Sequence, residues 1–198
     1  MRQLHGLSAM VLVLFALALG GCANIAPKTA HESFMDNLRP LCGRSFAGRL
    51  VSSDPQDADM ADQPMLMHVA KCTTNEIRIP FHVGDNHSRT WIITKQADQL
   101  RLKHRHRHED GSEDDSSQYG GDTVNDGTEM HQEFPADEFS KALFIRTSIP
   151  NSANNIWAIE IERGQKFSYE LRRLNRHFRV EFDLTRPVPN PPEAWGGN

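Results

Sequence analysis

Hydrophobic and polar positions alternate with period two over most of the second half of the chain. In 177–184, Phe178, Val180, Phe182 and Leu184 alternate with His177, Arg179, Glu181 and Asp183. In 166–171, Phe167, Tyr169 and Leu171 alternate with Lys166, Ser168 and Glu170, and in 155–162 Trp157, Ile159 and Ile161 share one face. Strict alternation marks strands buried on one side only. The short connections Arg163-Gly164-Gln165 and Leu174-Asn175-Arg176 join these runs into an antiparallel meander. Earlier strands are predicted over 44–52, 65–72, 76–83, 89–95, 99–108 and 141–147, with Pro80 implying an edge or a bulge. A short N-terminal helix is predicted over 31–41, where Phe34, Leu38 and Leu41 have near-helical spacing, and one or two helical turns over 135–143. Residues 109–130 lack periodicity and read as a long mobile loop. The Pro-rich tail 187–198 reads as extended. About nine short strands in consecutive hairpins predict a mainly β domain over 31–186. The expected fold is a single antiparallel β-barrel, a lipocalin-like meander, with a β-sandwich as the alternative.

One stretch does not fit this pattern. Leu7–Leu19 is almost wholly apolar, follows Arg2 and precedes Gly20, Gly21 and Cys22. Such a run is shorter than the ~20 residues that span a bilayer. A positive start, an apolar middle and small residues form the layout of a secretory signal over 1–21. Leu19-Gly20-Gly21-Cys22 resembles the lipobox of bacterial lipoproteins. That resemblance implies cleavage before Cys22, lipidation of its thiol and a linker over 22–30. With Ala23 next, it implies a lipid-anchored protein of the cell envelope, at the outer membrane and facing the periplasm. An ordinary secretory signal with an incidental cysteine is the alternative.

Composition narrows the partners. The chain has 22 Lys and Arg against 26 Asp and Glu, a net charge of −4, which gives no reason to expect nucleic acid as a partner. No second apolar stretch is long enough for a membrane helix, so the body reads as soluble. With Cys22 lipidated, Cys42 and Cys72 remain, and two cysteines in an exported chain read as a disulfide. Closing that loop of about 31 residues contributes roughly 3–4 kcal/mol. Two buried free thiols are the alternative.

The stretch richest in chemistry is Gln99–Asp115. As a strand it places Leu100, Leu102, His104, His106 and His108 on one face and Arg101, Lys103, Arg105, Arg107 and Glu109 on the other. The fully charged face must meet water, so the histidine face points inward. Side chains at i and i+2 are about 7 Å apart at the backbone, so adjacent imidazoles can converge on a divalent transition metal such as zinc. Glu109 and Asp110 are the nearest acidic partners, and Glu113, Asp114, His68 and His131 are further donors. The competing reading is a polar lining bonded to water, or a solvated hairpin end. Asp122–Glu129 has the composition of a calcium loop without EF-hand spacing, Tyr119-Gly120-Gly121-Asp122 reads as a turn, and there is no Gly-x-Ser-x-Gly. Trp91, Trp157 and Phe182 are most simply core. With Leu102, His104, His106 and Tyr169, the two tryptophans form the candidate lining of a ligand pocket.

Beyond the leader, Glu76–Trp91, Leu100–Asp114, Tyr119–Thr123 and Glu170–Pro187 are similar to a family of uncharacterised exported proteins of Gram-negative bacteria. That family has no assigned activity, so the resemblance implies an exported single domain and transfers no catalytic residue. Three functions compete. A lipid-anchored barrel binding a small ligand or an envelope partner ranks first. A metal-binding protein or metal-dependent hydrolase using His104, His106 and His108 is second. A structural protein with a filled barrel is third. The first two differ in whether the histidines, a carboxylate and an open cavity converge on one point.

Overall fold

A computed structural model describes residues 27–197; the leader and Cys22 lie outside them. The chain enters on helix α1 (Ala30–Leu38). The Thr29 hydroxyl accepts the Glu32 amide and the Glu32 carboxylate accepts the Thr29 amide, both at 3.1 Å, a reciprocal cap that satisfies two otherwise orphan donors. Phe34, Met35 and Leu38 are buried on one side of it. A tight turn at Arg39–Leu41, carrying Pro40, ends the helix at Cys42, which is bonded to Cys72.

Eleven strands follow among the described residues: β1 (Ser45–Leu50), β2 (Met65–His68), β3 (Lys71–Cys72), β4 (Glu76–Val83), β5 (Asn86–Lys95), β6 (Leu100–His106), β7 (Tyr119–Asp122), β8 (His131–Pro135), β9 (Ile156–Glu162), β10 (Lys166–Arg173) and β11 (Arg176–Val188). Helix α2 (Ala58–Ala61) lies between β1 and β2, and α3 (Glu138–Arg146) between β8 and β9. All pairings are antiparallel. The hydrogen-bonded order is β7-β6-β5-β4-β2-β1-β11-β10-β9-β8, with β3 beside β4. Apart from β3, the strands thus circle a nearly closed ten-strand barrel in chain order, and the first strand pairs with the last.

The seam is at β7 and β8. One bridge joins Gly121 to Ala136, and the Asp137 amide donates to the Gly120 carbonyl at 3.0 Å. The Ser140 hydroxyl accepts the Gly120 amide at 2.7 Å. A Cβ on Gly121 would lie 1.7 Å from the Pro135 carbonyl oxygen, and one on Gly120, whose φ is +155°, 1.9 Å from that of Leu102. The bare Gly121 therefore lets the seam close, the bare Gly120 lets β7 lie against β6, and Tyr119–Asp122 is a strand rather than the expected turn.

Inward residues fill most of the barrel. Phe178, Val180, Phe182 and Leu184 of β11, Phe167 and Tyr169 of β10, and Trp157, Ile159 and Ile161 of β9 are all buried, as their alternation requires. Each such side chain stabilises the fold by roughly 1.5–3 kcal/mol relative to exposure. The outer faces are ionic: Arg179 bonds Glu160 at 2.6 Å and both Glu170 and Glu181 at 3.0 Å. Helix α1 stoppers one end, with Glu32 paired to Lys95 at 2.6 Å and His31 Nε2 3.2 Å from the Asn125 carbonyl.

Three local expectations are corrected, and of the two readings of Pro80 the bulge, not the edge, is the one found nearby. Residues 141–146 belong to α3 and Thr147 caps it, so this stretch is not a strand. Asp137 caps that helix through the Ser140 amide at 2.8 Å, and the continuous apolar run Ala142–Ile145 buries Leu143 and Phe144 while exposing Ile145. Residues 109–130 include β7 and turns held by Asp110 on the Ser112 amide and Asp114 on the Ser116 amide, each at 2.8 Å. Pro80 is on an interior strand. It falls in the gap between the segments paired with β2 and β3, where no ladder donor is needed, and the register shifts beyond it, between Phe81 and Val83. The arginine face of β6 is not wholly wet: the tail crosses it, the Trp195 amide donates to the His87 carbonyl at 3.1 Å, and Arg105, bonded to the Gly197 carbonyl, is buried.

Candidate ligand pocket

The end of the barrel away from α1 holds a cavity of about 180 Å³. Its apolar walls are Phe81, Trp91, Leu171, Phe178 and, from α2, Met60. Strand parity builds them: Trp91 and Arg89 share the inner face of β5, His104 and His106 that of β6, and Tyr169 and Leu171 that of β10. Trp91 stacks on two near-parallel rings, with centroids 4.3 Å from Tyr169 and 4.8 Å from Phe81.

Two imidazole–phenol pairs line the polar side. His104 Nδ1 lies 3.2 Å from the Tyr119 carbonyl, which can only accept, so Nδ1 carries the proton. Nε2 of the neutral ring then accepts from the Tyr169 hydroxyl at 2.8 Å. His106 Nε2 is 3.1 Å from the Tyr119 hydroxyl. The Tyr119 ring stacks on His104 at 4.5 Å and 13°. Burial, and then the neighbouring His106, push the His104 pKa down to about 3; burial and then Arg89 push that of His106 down to about 4. Both rings are neutral at pH 7. Burial pushes the Tyr119 phenol up to about 12, and holds Tyr169 well above its ordinary value, so both keep their protons.

Two guanidinium groups stand at the mouth. Arg176 is neutralised by Asp57, at 2.6 and 2.7 Å, and by Asp54 at 3.1 Å. Arg89 donates to the Asn86 side-chain carbonyl at 3.0 Å, and among the described residues no carboxylate lies within ion-pair distance of it.

Of the residues expected to line a pocket, Trp91, His104, His106 and Tyr169 do so; Leu102 and Trp157 are fully buried core. The expected metal constellation does not assemble. Among the described residues no three His, Cys, Asp or Glu side chains converge on a common point. Beyond His106 strand β6 ends, and the His108 amide joins a tight turn to the Ser112 carbonyl at 2.9 Å. His108 is therefore exposed above the rim, 3.8 Å from Asp114, instead of facing inward. Glu109 and Asp110 are exposed on the same turn. Both nitrogens of His104 are already engaged. His131 pairs with Glu133 at 3.3 Å, away from the pocket.

Sequence reasoning missed Arg89, Tyr119, Asp57 and Met60, together with Phe81, Leu171, Arg176 and Phe178. Arg89 carried a signal, since it shares inward parity with Trp91 two positions on. Asp57 and Met60 come from an irregular connection and carried none. A wider groove of about 380 Å³ runs over the β1–β11 register shift, past Gly48 and Phe182, but it lies on the charged outer wall. No family model, curated protein or solved structure matches the chain.

Proposed function

We propose that this chain is a lipid-anchored envelope protein whose barrel binds a small molecule in the pocket between Trp91, His104, His106 and Tyr169. The observation that supports it is the asymmetry of the barrel. One end is stoppered by α1, whereas the other leaves a partly open cavity of about 180 Å³ in which apolar walls meet convergent polar groups, features of a ligand site. The anchor is read from Leu19-Gly20-Gly21-Cys22. Only residues 23–29 separate that cysteine from α1, so the tether enters at the stoppered end and the pocket mouth is free to meet solutes of the periplasm.

The test is mass spectrometry of small molecules extracted from the protein purified from its native envelope, beside a pocket-filling Leu171→Trp variant. A compound recovered in near-stoichiometric amount from the parent and lost from the variant is the expected result. Identical extracts from the two proteins would overturn the reading.

A further inference from the structure

Resting on that reading, we infer that the ligand is a small organic carboxylate: one anionic head received by Arg89, and an apolar body about the size of one benzene ring. The charges around the cavity carry this. Its lining holds three ionic groups, Asp57, Arg176 and Arg89. Asp57 and Arg176 satisfy each other through two hydrogen bonds, with Asp54 as a further acceptor on Arg176. Among the described residues Arg89 has only a neutral amide partner, so the cavity faces one cation that none of them compensates. Asp114 acts on His106 and Tyr119 from outside the lining, and its carboxylate is held by the Ser116 amide at 2.8 Å. Arg89 lines the cavity opposite His106 in the β5–β6 ladder, and its charge also acts on Tyr119 and Tyr169.

The remaining polar atoms are suited to a single negative charge. His104 is closed off by its two bonds. His106 and the Tyr119 hydroxyl form a neutral pair beside Arg89 that can reorient to donate to an acceptor. A guanidinium with vacant donors forks naturally onto a carboxylate. A dianion would meet one cation and neutral groups only. The space is limited: an apolar cavity of about 150 Å³ takes benzene, and this one, at about 180 Å³, leaves room for such a ring and a head group at the mouth. The walls Met60, Phe81, Leu171 and Phe178 supply the apolar contact.

The experiment is calorimetric titration of the mature protein at pH 7 with four probes that share a ring: benzoate, benzamide, benzylamine and phenyl phosphate. Benzoate is expected to bind about tenfold or more tightly than benzamide, the difference a charge-assisted hydrogen bond makes. Benzylamine is expected to be weakest. Arg89→Gln should bring benzoate to the level of benzamide, while Arg186→Gln, which removes an exposed charge elsewhere, should change nothing. If Arg89→Gln does not fold, Arg89→Lys and the order of the probes on the parent protein give the same decision. Benzamide matching benzoate, or phenyl phosphate binding tightest, overturns the carboxylate while leaving a ligand pocket in place. No binding by any probe overturns the inference as well, and the pocket reading is then judged by the extraction experiment alone.

Discussion

His104 and Tyr169 meet across the inside of the barrel, the imidazole Nε2 2.8 Å from the phenol oxygen, though the two residues lie 65 positions apart on strands that are not neighbours in the sheet. The bond satisfies the one acceptor of a neutral, buried ring. Tyr169→Phe keeps the stacking on Trp91 but leaves that acceptor without a partner, at a cost of about 1–3 kcal/mol. Thermal melting should fall by several degrees. The double variant with His104→Phe should lose less than the two single losses summed, because it removes both partners together.

The same burial makes stability sensitive to acid. The imidazoles of His104, His106 and His82 are held by burial at about 3, 4 and 4 in the fold, against an ordinary 6.5. Above pH 6.5 both folded and unfolded chains keep them neutral and they add no pH dependence. As pH falls below 6.5 the unfolded chain takes up protons that the folded one refuses, so stability drops. The slope approaches about 1.4 kcal/mol per pH unit for each group. Urea denaturation at pH 7, 6 and 5 should show a falling midpoint, and His104→Gln should flatten the decline. A midpoint constant over that range would contradict the buried neutral imidazoles.

Closure at the β7–β8 seam depends on Gly121. Its replacement by Ala sets a methyl 1.7 Å from the Pro135 carbonyl oxygen, a backbone atom that cannot swing aside. The expected cost is about 3 kcal/mol or more, with hydrogen exchange accelerated first in Tyr119–Asp122 and His131–Pro135. Protection there equal to that of the parent would show that the seam tolerates the methyl.

The Cys42–Cys72 bond ties α1 to the β3–β4 corner across a sequence separation of 30 residues. Replacing both cysteines by Ser should cost roughly 3–4 kcal/mol, mainly by freeing the unfolded chain. Melting should then fall by about 10 °C, and a reductant should lower the parent's melting temperature without affecting the variant's.

Cys22→Ser tests the anchor. Two or three acyl chains, each contributing about 0.8 kcal/mol per buried CH₂, hold a protein on a membrane almost permanently. The variant should appear in the soluble fraction or keep its leader, with a mass that lacks lipid. A processed, membrane-bound species indistinguishable from the parent would end the lipoprotein reading.

The period-two pattern was enough to determine the inward faces of the C-terminal strands and their order as a meander. In β9, β10 and β11, Trp157, Ile159, Ile161, Phe167, Tyr169, Phe178, Val180 and Phe182 are buried while Glu160, Glu170, Arg179 and Glu181 turn outward, because a slip of one residue would bury Arg179, Glu170 and Glu181 instead. The same parity placed His104 and His106 inside. Alternation is a local property, and it ends where the strand does. His108 has the correct parity but stands beyond the end of β6, where the turn bond from its amide to Ser112 decides its direction. Arg105 points outward as read, yet only the returning tail determines that it is covered. Barrel rather than sandwich rests on Gly120 and Gly121 meeting Pro135–Asp137, a contact whose need for a missing Cβ is invisible until both strands are in place. The helix at Glu138–Arg146 was decided by the Asp137 cap and by the one-sided burial of Leu143 and Phe144. The pocket draws Met60, Arg89, Tyr119 and Phe178 from four distant segments. The sequence by itself thus determined which side chains face the interior, since that follows from neighbours two positions apart. Tertiary structure decided which of them meet, because closure brings together residues whose separation along the chain carries no periodic signal.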